Sequence, residues 1–345
     1  MKVVGIDPGT KGFSVLGMDG DKIFLDEMFP TQEIVSDMNK LVKIVTDYMP
    51  FDALVGPSGY GLPVTSISNA SEEDFDVMLP RKSGKVPVND AIKSFFYSAK
   101  KNKLPLYFTP GVIHLQTVPA YRKANKLDMG TADKLCCTAL ALEQCALRNK
   151  KPYSKCSFIF LEVGYGFTAA IGINNGKVVD GLGGTSGFSG FLSPGAVDAE
   201  LAIRIKEQHQ EVVFTGGAIS QLTGKQIELE KIVESKGVWE TVIESAVKDV
   251  AALTVTTNPE EIIISGRLAR IQVIQKELKK RLSEYGKVFI LTRKAKNASE
   301  GAEGAVLLGR GLIGDKYADL IKSLELKKAK GTMYDYVTMK VEVKR

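Results

Sequence analysis

A pattern that occurs twice in the chain constrains its fold more than any other feature. Residues 3–20 predict a buried strand, an acidic residue, a Gly-containing turn and a second strand, in VVGIDPGTKGFSVLGMDG. Residues 158–176 repeat this plan in FIFLEVGYGFTAAIGINNG, which ends at a typical Asn-Gly hairpin turn. The repeat predicts two related domains that face each other. Two unrelated hairpins that match by coincidence are the alternative.

The first turn places the carboxylate of Asp7 beside groups that bind anions. Gly9 and Gly12 allow backbone N–H groups to point outward, and Thr10 and Lys11 add a hydroxyl and an ammonium group. A carboxylate next to such groups would repel phosphate unless a cation lay between them. Asp7 is therefore a candidate ligand for Mg²⁺ bound to the phosphates of a nucleotide. An Asp that only caps a hairpin turn is the alternative interpretation.

Composition limits the class of protein. With 345 residues, of which 44% are hydrophobic, the chain can bury a large core, and its length favours two domains. No stretch is apolar for long enough to cross a bilayer, and the first residues lack the apolar core of a signal peptide, so we expect a cytoplasmic protein without membrane contact. The net charge of +6 selects no partner, because 46 basic and 40 acidic residues are mostly interspersed. The spacing of the four Cys and two His residues does not predict a metal site.

Strands and helices alternate along the rest of the chain, which predicts mixed sheets covered by helices. Residues 66–90 are polar and predict a loop. The predicted helices include residues 31–49, 88–102, 130–150, 198–209 and 239–253. Residues 337–345 alternate strictly between apolar and polar side chains, so they predict a final strand that pairs with an exposed edge or with another subunit. A homodimer is therefore an expectation.

Taken in order, these segments resemble the ATPase core shared by acetate and sugar kinases, the heat-shock chaperone ATPase and actin, the ASKHA superfamily. The two hairpins are similar to its phosphate-binding hairpins, and GTADKLCCTALAL is similar to its first connecting helix. EIIISGRLAR resembles the adenosine-binding strand and turn, and SEGAEGAVLLG the second connecting helix. Within the superfamily, EVGYG and VVDGLGGTSGFSGFLSPGAVDAELA are most similar to an archaeal family described as predicted butyrate kinases.

This resemblance implies an α/β fold in which two facing RNase H-like, actin-like ATPase domains have mixed sheets and a nucleotide cleft between them. It implies an N-terminal domain over residues 1–149, joined by a helix over residues 305–326. A C-terminal domain would occupy residues 150–304, and a terminal strand extension would follow over residues 327–345.

The implied activity is Mg²⁺-assisted transfer of the ATP γ-phosphate to a small molecule, as in a butyrate- or acetate-kinase-like carboxylate kinase. The uncharged side chains of the predicted acceptor loops favour a hydroxylated or small neutral group. An ATPase switch without a small-molecule acceptor is one alternative. A resolvase-like nuclease is another alternative, because GIDPGT also opens Holliday-junction resolvases. Nucleic acid is the less favoured partner, because the sequence offers too few candidate acidic residues to hold two metal ions.

The resemblance implies a role for each of several groups of residues. The catalytic residues would be Asp7, Asp133 and Glu162, with Asp7 and Glu162 as Mg²⁺ ligands. The nucleotide would contact Gly9, Thr10, Lys11, Gly12, Gly164, Gly166, Thr168, Ser265, Gly266 and Arg267. The acceptor would contact Ser58, Gly59, Tyr60, Gly61, Ser186 and Ser189. Asp133 could instead only stabilise the N-terminus of its helix, and Gly216-Gly217 compete with Gly266 for adenosine.

Overall fold

Two mixed β-sheets, one from each half of the chain, form the framework of the computed structural model, which describes residues 1–56, 58–80, 87–206, 210–223 and 235–339. The first sheet has the order β3-β2-β1-β4-β6-β5 and the second has the order β11-β10-β7-β8-β9. The strands of the first sheet are β1 (Lys2–Pro8), β2 (Gly12–Asp19), β3 (Lys22–Pro30), β4 (Ala53–Val55), β5 (Thr65–Ser66) and β6 (Leu106–Phe108). Those of the second are β7 (Phe158–Val163), β8 (Thr168–Asn174), β9 (Lys177–Leu182), β10 (Glu261–Ser265) and β11 (Lys287–Ile290).

Helices cover both sheets. Those of the first half are α1 (Thr31–Ser36), α2 (Met38–Asp47), α3 (Glu72–Met78), α4 (Pro87–Lys101), α5 (Ala120–Lys123) and α6 (Ala132–Asn149). Those of the second half are α7 (Ala199–Ala202), α8 (Ala218–Thr223), α9 (Lys236–Thr254), α10 (Gln272–Leu282), α11 (Glu300–Leu312) and α12 (Ala318–Ser323). Within the described ranges, no helix combines the length and hydrophobicity that a bilayer crossing requires.

The two sheets repeat one topology. In each, three consecutive strands form an antiparallel meander, and a later strand pairs in parallel with the first strand of that meander. The turns of the first hairpins also match, because Gly9 N–H donates to the Gly12 carbonyl at 2.9 Å and Gly164 N–H donates to the Phe167 carbonyl at 3.0 Å. The predicted repeat and the predicted mixed α/β fold are therefore confirmed.

Local hydrogen bonds explain two differences from the predicted elements of the first half. The predicted helix over residues 31–49 is divided at Asp37, whose side chain accepts a hydrogen bond from Asn39 N–H and starts α2. The predicted loop over residues 66–90 contains α3, which begins at a capping box formed by Ser71 and Asp74. The polar residues of this segment predicted a loop, but two of them, Ser71 and Asp74, are polar because they cap a helix.

Two helix predictions for the second half are also corrected. The helix expected over residues 305–326 begins earlier, at Glu300, and ends at Leu312, before α12. The helix expected over 198–209 is the short α7, and residues 207–209 lie outside the described residues. The extension expected over 327–345 starts with a 3-10 turn at Leu326–Lys328, and residues 329–339 contain no strand. Most of the strand expected over 337–345 falls on residues 340–345, which lie outside the described ranges, so this strand stays a prediction.

Helix α11 links the two halves by packing on α6 and on β1. A Cβ atom added to Gly304 would lie 1.9 Å from the carbonyl oxygen of Cys136, and one added to Gly5 would lie 2.3 Å from the carbonyl oxygen of Ala302. The backbones therefore touch where side chains would normally separate them. This close packing places the first turn of α11 beside the C-terminal end of β1.

Candidate active site

Acidic side chains from three elements converge between the two sheets. Asp7 lies at the end of β1, Glu162 at the end of β7, and Asp133 in the first turn of α6. Asp7 accepts a 2.5 Å hydrogen bond from the hydroxyl of Ser299, the residue that caps α11. Gly301 makes this approach possible, because a Cβ atom there would lie 2.5 Å from the Asp7 carboxylate. The three predicted catalytic residues thus belong to one cluster.

Lys134 joins two members of this cluster. Its Nζ lies 2.5 Å from a carboxylate oxygen of Asp133 and 2.9 Å from one of Glu162. Asp133 also accepts a hydrogen bond from the hydroxyl of Thr131, the residue that precedes α6. Lys134 is not among the site residues predicted from the sequence; the feature that could have indicated it is a pair of charged residues, Asp133 and Lys134, at the start of a largely apolar helix.

The pKa values of two carboxyl groups in the cluster are shifted in opposite directions. Burial, with a further contribution from Asp133, raises the pKa of Asp7 to about 7. Burial acts in the same direction on Asp133, but the charge and hydrogen bond of Lys134 hold its pKa below the usual range. Burial alone would lower the pKa of Lys134, yet Asp133 and Glu162 raise it well above its usual value. Near neutral pH, Asp133 is therefore ionised and Lys134 is protonated, while Asp7 is only partly protonated.

The two Gly turns, which follow Asp7 and Glu162 in the chain, contact each other. Lys11 Nζ lies 4.7 Å from the ring centroid of Tyr165, and a Cβ atom on Gly166 would lie 3.0 Å from the hydroxyl of Thr10. The predicted phosphate-binding residues of both hairpins therefore occupy one region. Thr168 is buried, and its hydroxyl has no hydrogen-bond partner within the described part of the chain.

The predicted adenosine-binding residues follow β10, which lies beside β7. Ser265 pairs in register with Glu162, and Gly266, at φ +100°, leaves no room for a Cβ atom because one would lie 2.3 Å from the carbonyl oxygen of Val163. The side chain of Arg267 is exposed. This turn therefore lies at the same sheet edge as the acidic cluster.

The competing pair, Gly216-Gly217, contacts a different segment. Gly217 N–H donates to the carbonyl oxygen of Leu192 at 2.9 Å, and α8 begins directly afterwards. The pair thus holds the 183–195 loop, whereas the β10 position next to Glu162 supports Gly266. The assignment of adenosine to Gly266 stays a prediction.

Two predicted acceptor hydroxyls bond within the protein. The Ser58 hydroxyl is buried, donates to the Gly56 carbonyl at 3.1 Å and accepts from Thr109 N–H at 3.0 Å. The Ser186 hydroxyl donates to the Asp128 carbonyl and accepts from Gly183 N–H at 2.9 Å. These hydroxyls hold their loops in place, and their predicted contact with an acceptor stays a prediction.

The other predicted acceptor residues lie in the same two loops. The Gly59 carbonyl accepts a 3.1 Å hydrogen bond from Ala132 N–H at the start of α6. Gly61, at φ +102°, passes so close to Gly111 that a Cβ atom would lie 2.1 Å from its nitrogen. Ser189 is half-buried in the 183–195 loop. The 58–61 loop is thus attached to the helix that carries Asp133.

Asp128 is a further acidic residue here that the sequence analysis missed. It is buried, accepts a 2.8 Å hydrogen bond from Gly130 N–H, and lies where a Cβ atom on Gly183 would be 2.0 Å from its carboxylate. Burial, reinforced by Asp133, raises the pKa of Asp128. Burial and then the charge of Asp128 raise the pKa of Tyr60. Asp128 therefore lies between the two predicted acceptor loops; its sequence signal is an acid five residues before Asp133.

Comparison with protein families identifies one match that covers most of the chain. The family described as "Protein of unknown function (DUF1464)" matches residues 5–339, so the chain belongs to this family. No curated protein matches the sequence. This match leaves the narrower resemblance to predicted butyrate kinases a prediction.

Solved structures identify the fold. An acetate kinase from Porphyromonas gingivalis is similar with a TM-score of 0.60 at 12% identity, over 88% of this chain and 98% of that one. An acetate kinase from Entamoeba histolytica is similar with a TM-score of 0.58 at 12% identity, over 82% of this chain and 87% of that one. A ROK family protein from Streptococcus pneumoniae TIGR4 in complex with sucrose is similar with a TM-score of 0.51 at 11% identity, over 91% of this chain and 99% of that one. The chain therefore has the actin-like ASKHA fold that these proteins share.

Proposed function

We propose that this member of the DUF1464 family is an ATP-dependent phosphotransferase that acts on a small molecule. The observation that carries the proposal is the position of Asp7, Asp133 and Glu162, from separate elements, beneath two facing Gly turns. Such turns present backbone N–H groups to phosphate, and phosphoryl transfer depends mainly on positioning and charge neutralisation. The similarity in fold to two proteins named acetate kinases supports the same activity.

The donor atoms of the cluster fit Mg²⁺. In the described part of the chain, no three acidic, His or Cys side chains converge closely enough to hold a metal by themselves. Mg²⁺ bound to a nucleotide needs only one or two carboxylates besides phosphate oxygens and water. Asp7 and Glu162 supply such oxygen ligands, and a bound Mg²⁺ would neutralise phosphate charge.

The protein's own residues would divide the remaining tasks. Backbone N–H groups of the 9–12 and 164–167 turns hold the β- and γ-phosphates, and Ser265, Gly266 and Arg267 lie beside the nucleoside. Asp133, which is ionised because Lys134 pairs with it, accepts the proton of the acceptor hydroxyl.

The acceptor side favours a hydroxyl group over a carboxylate. Asp128 lies between the loop that carries Tyr60 and the loop that carries Gly183, and it is close enough to Asp133 for that charge to raise the pKa of Asp128. A carboxylate substrate would be repelled by the ionised Asp133, whereas a hydroxyl can donate to it. We therefore assign the acceptor to a neutral hydroxylated small molecule, with Asp128 and Tyr60 as its contacts.

Calorimetric titration of Mg-ATP into the purified protein tests the proposal. Wild type is expected to bind Mg-ATP, with binding that weakens when Mg²⁺ is removed. Asp7→Asn should weaken Mg-ATP binding by about tenfold or more, because a carboxylate ligand of the metal is lost. Asp319→Asn, an exposed substitution on α12, is the matched control and should bind as wild type does. Failure of wild type to bind Mg-ATP would refute the proposal, and structured DNA would then be the next ligand to test.

An ATPase switch is the second candidate. The observation that favours it is that the hydroxyls of Ser58 and Ser186 are bonded to other groups of the protein, which leaves fewer groups for an acceptor. The rate of ATP hydrolysis in the presence of a panel of polyols and sugars distinguishes the two functions. A phosphotransferase would form a phosphorylated product with one of them, whereas a switch would release only inorganic phosphate at an unchanged slow rate.

A further inference from the structure

Lys134 lies between the two sides of the proposed reaction. Its Nζ is 2.5 Å from Asp133, on the acceptor side, and 2.9 Å from Glu162, on the nucleotide side. The side chain is 17% exposed, so its charge acts in a largely dehydrated environment. Its backbone is held in the first turn of α6, where the next three residues are buried. The ammonium group is therefore fixed where the two sides meet.

Two other cations of this region, Lys11 and Arg270, have partners of their own. Lys11 Nζ lies 4.7 Å from the centre of the Tyr165 ring, and Arg270 forms an ion pair with Glu300. Lys134 has three N–H donors, and its two carboxylate contacts leave one for another oxygen. This third donor can bond an oxygen of a phosphoryl group that moves from the Gly turns toward Asp133.

We propose that Lys134 is a catalytic residue that donates a hydrogen bond to the γ-phosphoryl group during its transfer. The inference rests on the proposed phosphotransferase function and names the residue that stabilises the charge of the group in transit. The bond between the γ-phosphorus and the β–γ bridging oxygen breaks, and that oxygen keeps the electron pair as ADP leaves. The γ-phosphorus bonds to the acceptor oxygen, whose proton passes to Asp133. Lys134 stays protonated throughout and stabilises charge on the γ-oxygens.

The test compares a ground-state ligand with a mimic of the group in transit. Mg-ATP and Mg-ADP with aluminium fluoride are titrated into wild type, Lys134→Gln and Lys134→Arg by calorimetry. Lys93→Gln is the matched control, because Lys93 is also buried and pairs with an acid, Asp76, at 2.6 Å, but lies on α4. Lys134→Gln should bind Mg-ATP within about threefold of wild type, yet lose about 100-fold in affinity for the fluoride complex. Lys134→Arg should recover part of this loss, and Lys93→Gln should show none.

Each outcome supports or overturns the assignment. An equal loss for both ligands in Lys134→Gln would show that Lys134 only neutralises its acidic neighbours, and would overturn it. Absence of Mg-ATP binding by wild type would instead overturn the proposed function, and this inference with it.

A measurement on wild type covers the case in which Lys134→Gln does not fold. The ¹⁵N resonance of the Lys134 ammonium, assigned by its absence from Lys134→Arg, should shift when Mg-ADP and aluminium fluoride bind. It should move little with Mg-ADP alone. An unchanged resonance in the fluoride complex would contradict the proposed contact.

Discussion

Asp249 shows how one buried carboxyl group can hold a loop beside a site. It lies on α9, is fully buried, and accepts a 2.9 Å hydrogen bond from Phe188 N–H. Gly187 allows this contact, because a Cβ atom there would lie 2.8 Å from the carboxylate. The loop that it holds, residues 183–195, also carries the predicted acceptor residues Ser186 and Ser189.

Replacing Asp249 should change how stability depends on pH. Burial raises its pKa to about 7, so the neutral form is favoured in the folded protein. The stabilisation that this raised pKa gives is complete below the unfolded pKa of about 4 and is lost as pH rises through 7. Asp249→Asn, which cannot ionise, should therefore gain stability relative to wild type by up to about 4 kcal/mol between pH 4 and pH 8.

Urea unfolding of both proteins at pH 4.5 and pH 8 measures this difference. Asp319→Asn, on the surface of α12, serves as the control and should show no such change. A stability difference that is the same at both pH values would contradict the prediction.

Substitutions of Asp133 and Asp7 should impair different steps, catalysis and nucleotide binding respectively. Asp133→Asn removes the proposed proton acceptor, so the turnover number should fall by about 10²- to 10⁴-fold. Mg-ATP affinity should stay within about threefold of wild type, because the nucleotide contacts are on other elements. Steady-state turnover, with ATP hydrolysis as the readout, and calorimetry on one preparation separate the two effects. A loss of Mg-ATP affinity equal to that of Asp7→Asn would contradict the division of roles.

Helix α11 depends on small residues for its position. Gly301 leaves space for the carboxylate of Asp7, and Gly304 allows contact with the backbone of α6 at Cys136. The capping hydroxyl of Ser299 then reaches Asp7 at 2.5 Å. The same helix therefore connects the packing of the two halves to the geometry of the site.

Gly304→Ala should destabilise the protein despite the better helix propensity of Ala. The added methyl group would lie 1.9 Å from the Cys136 carbonyl oxygen, which is a backbone atom that cannot rotate away. Separation of the helices should cost about 3 kcal/mol, more than the about 1 kcal/mol that Ala contributes.

The control for Gly304→Ala lies on the same helix. In Gly309→Ala the methyl group would approach the side chains of Val3 and Val55, at 2.7 and 3.0 Å, and no backbone atom. Its loss of stability, measured by urea unfolding, should be smaller. A larger loss of stability in Gly309→Ala than in Gly304→Ala would contradict this account of how α11 packs on α6.

At the scale of the whole molecule, α11, from the second half of the chain, completes the hydrophobic core of the first half. Val3, Leu16, Met18 and Ala53 of the first sheet share a buried cluster with Ala302 and Val306 of α11. A fragment of residues 1–149 would leave this apolar face in water. The boundary between two domains therefore cannot be drawn at one point of the sequence.

We predict that the 1–149 fragment does not fold by itself. The same fragment joined through a flexible linker to residues 294–326 should regain a cooperative transition, because α11 covers the exposed face. Thermal unfolding followed by circular dichroism tests both. A cooperative transition in the shorter fragment alone would contradict the prediction.

The sequence by itself determined the repeated hairpins, the acids at the ends of β1 and β7, and the buried run of α6. These features are local: they depend on periods of two and 3.6 residues and on turn chemistry, which neighbouring residues specify. The positions of Asp7 and Glu162 at matching strand ends could be predicted for this reason.

Only the tertiary structure decided which of these groups touch. Ser299 bonds to Asp7, 292 residues away, and Lys134 reaches Glu162 on the second sheet. Ser58 looks the same in sequence whether its hydroxyl bonds its own loop or a ligand, and the structure bonds it to Gly56 and Thr109. Such contacts join segments distant in the chain, and no local period encodes them. They depend on how closely the sheets and the two connecting helices pack.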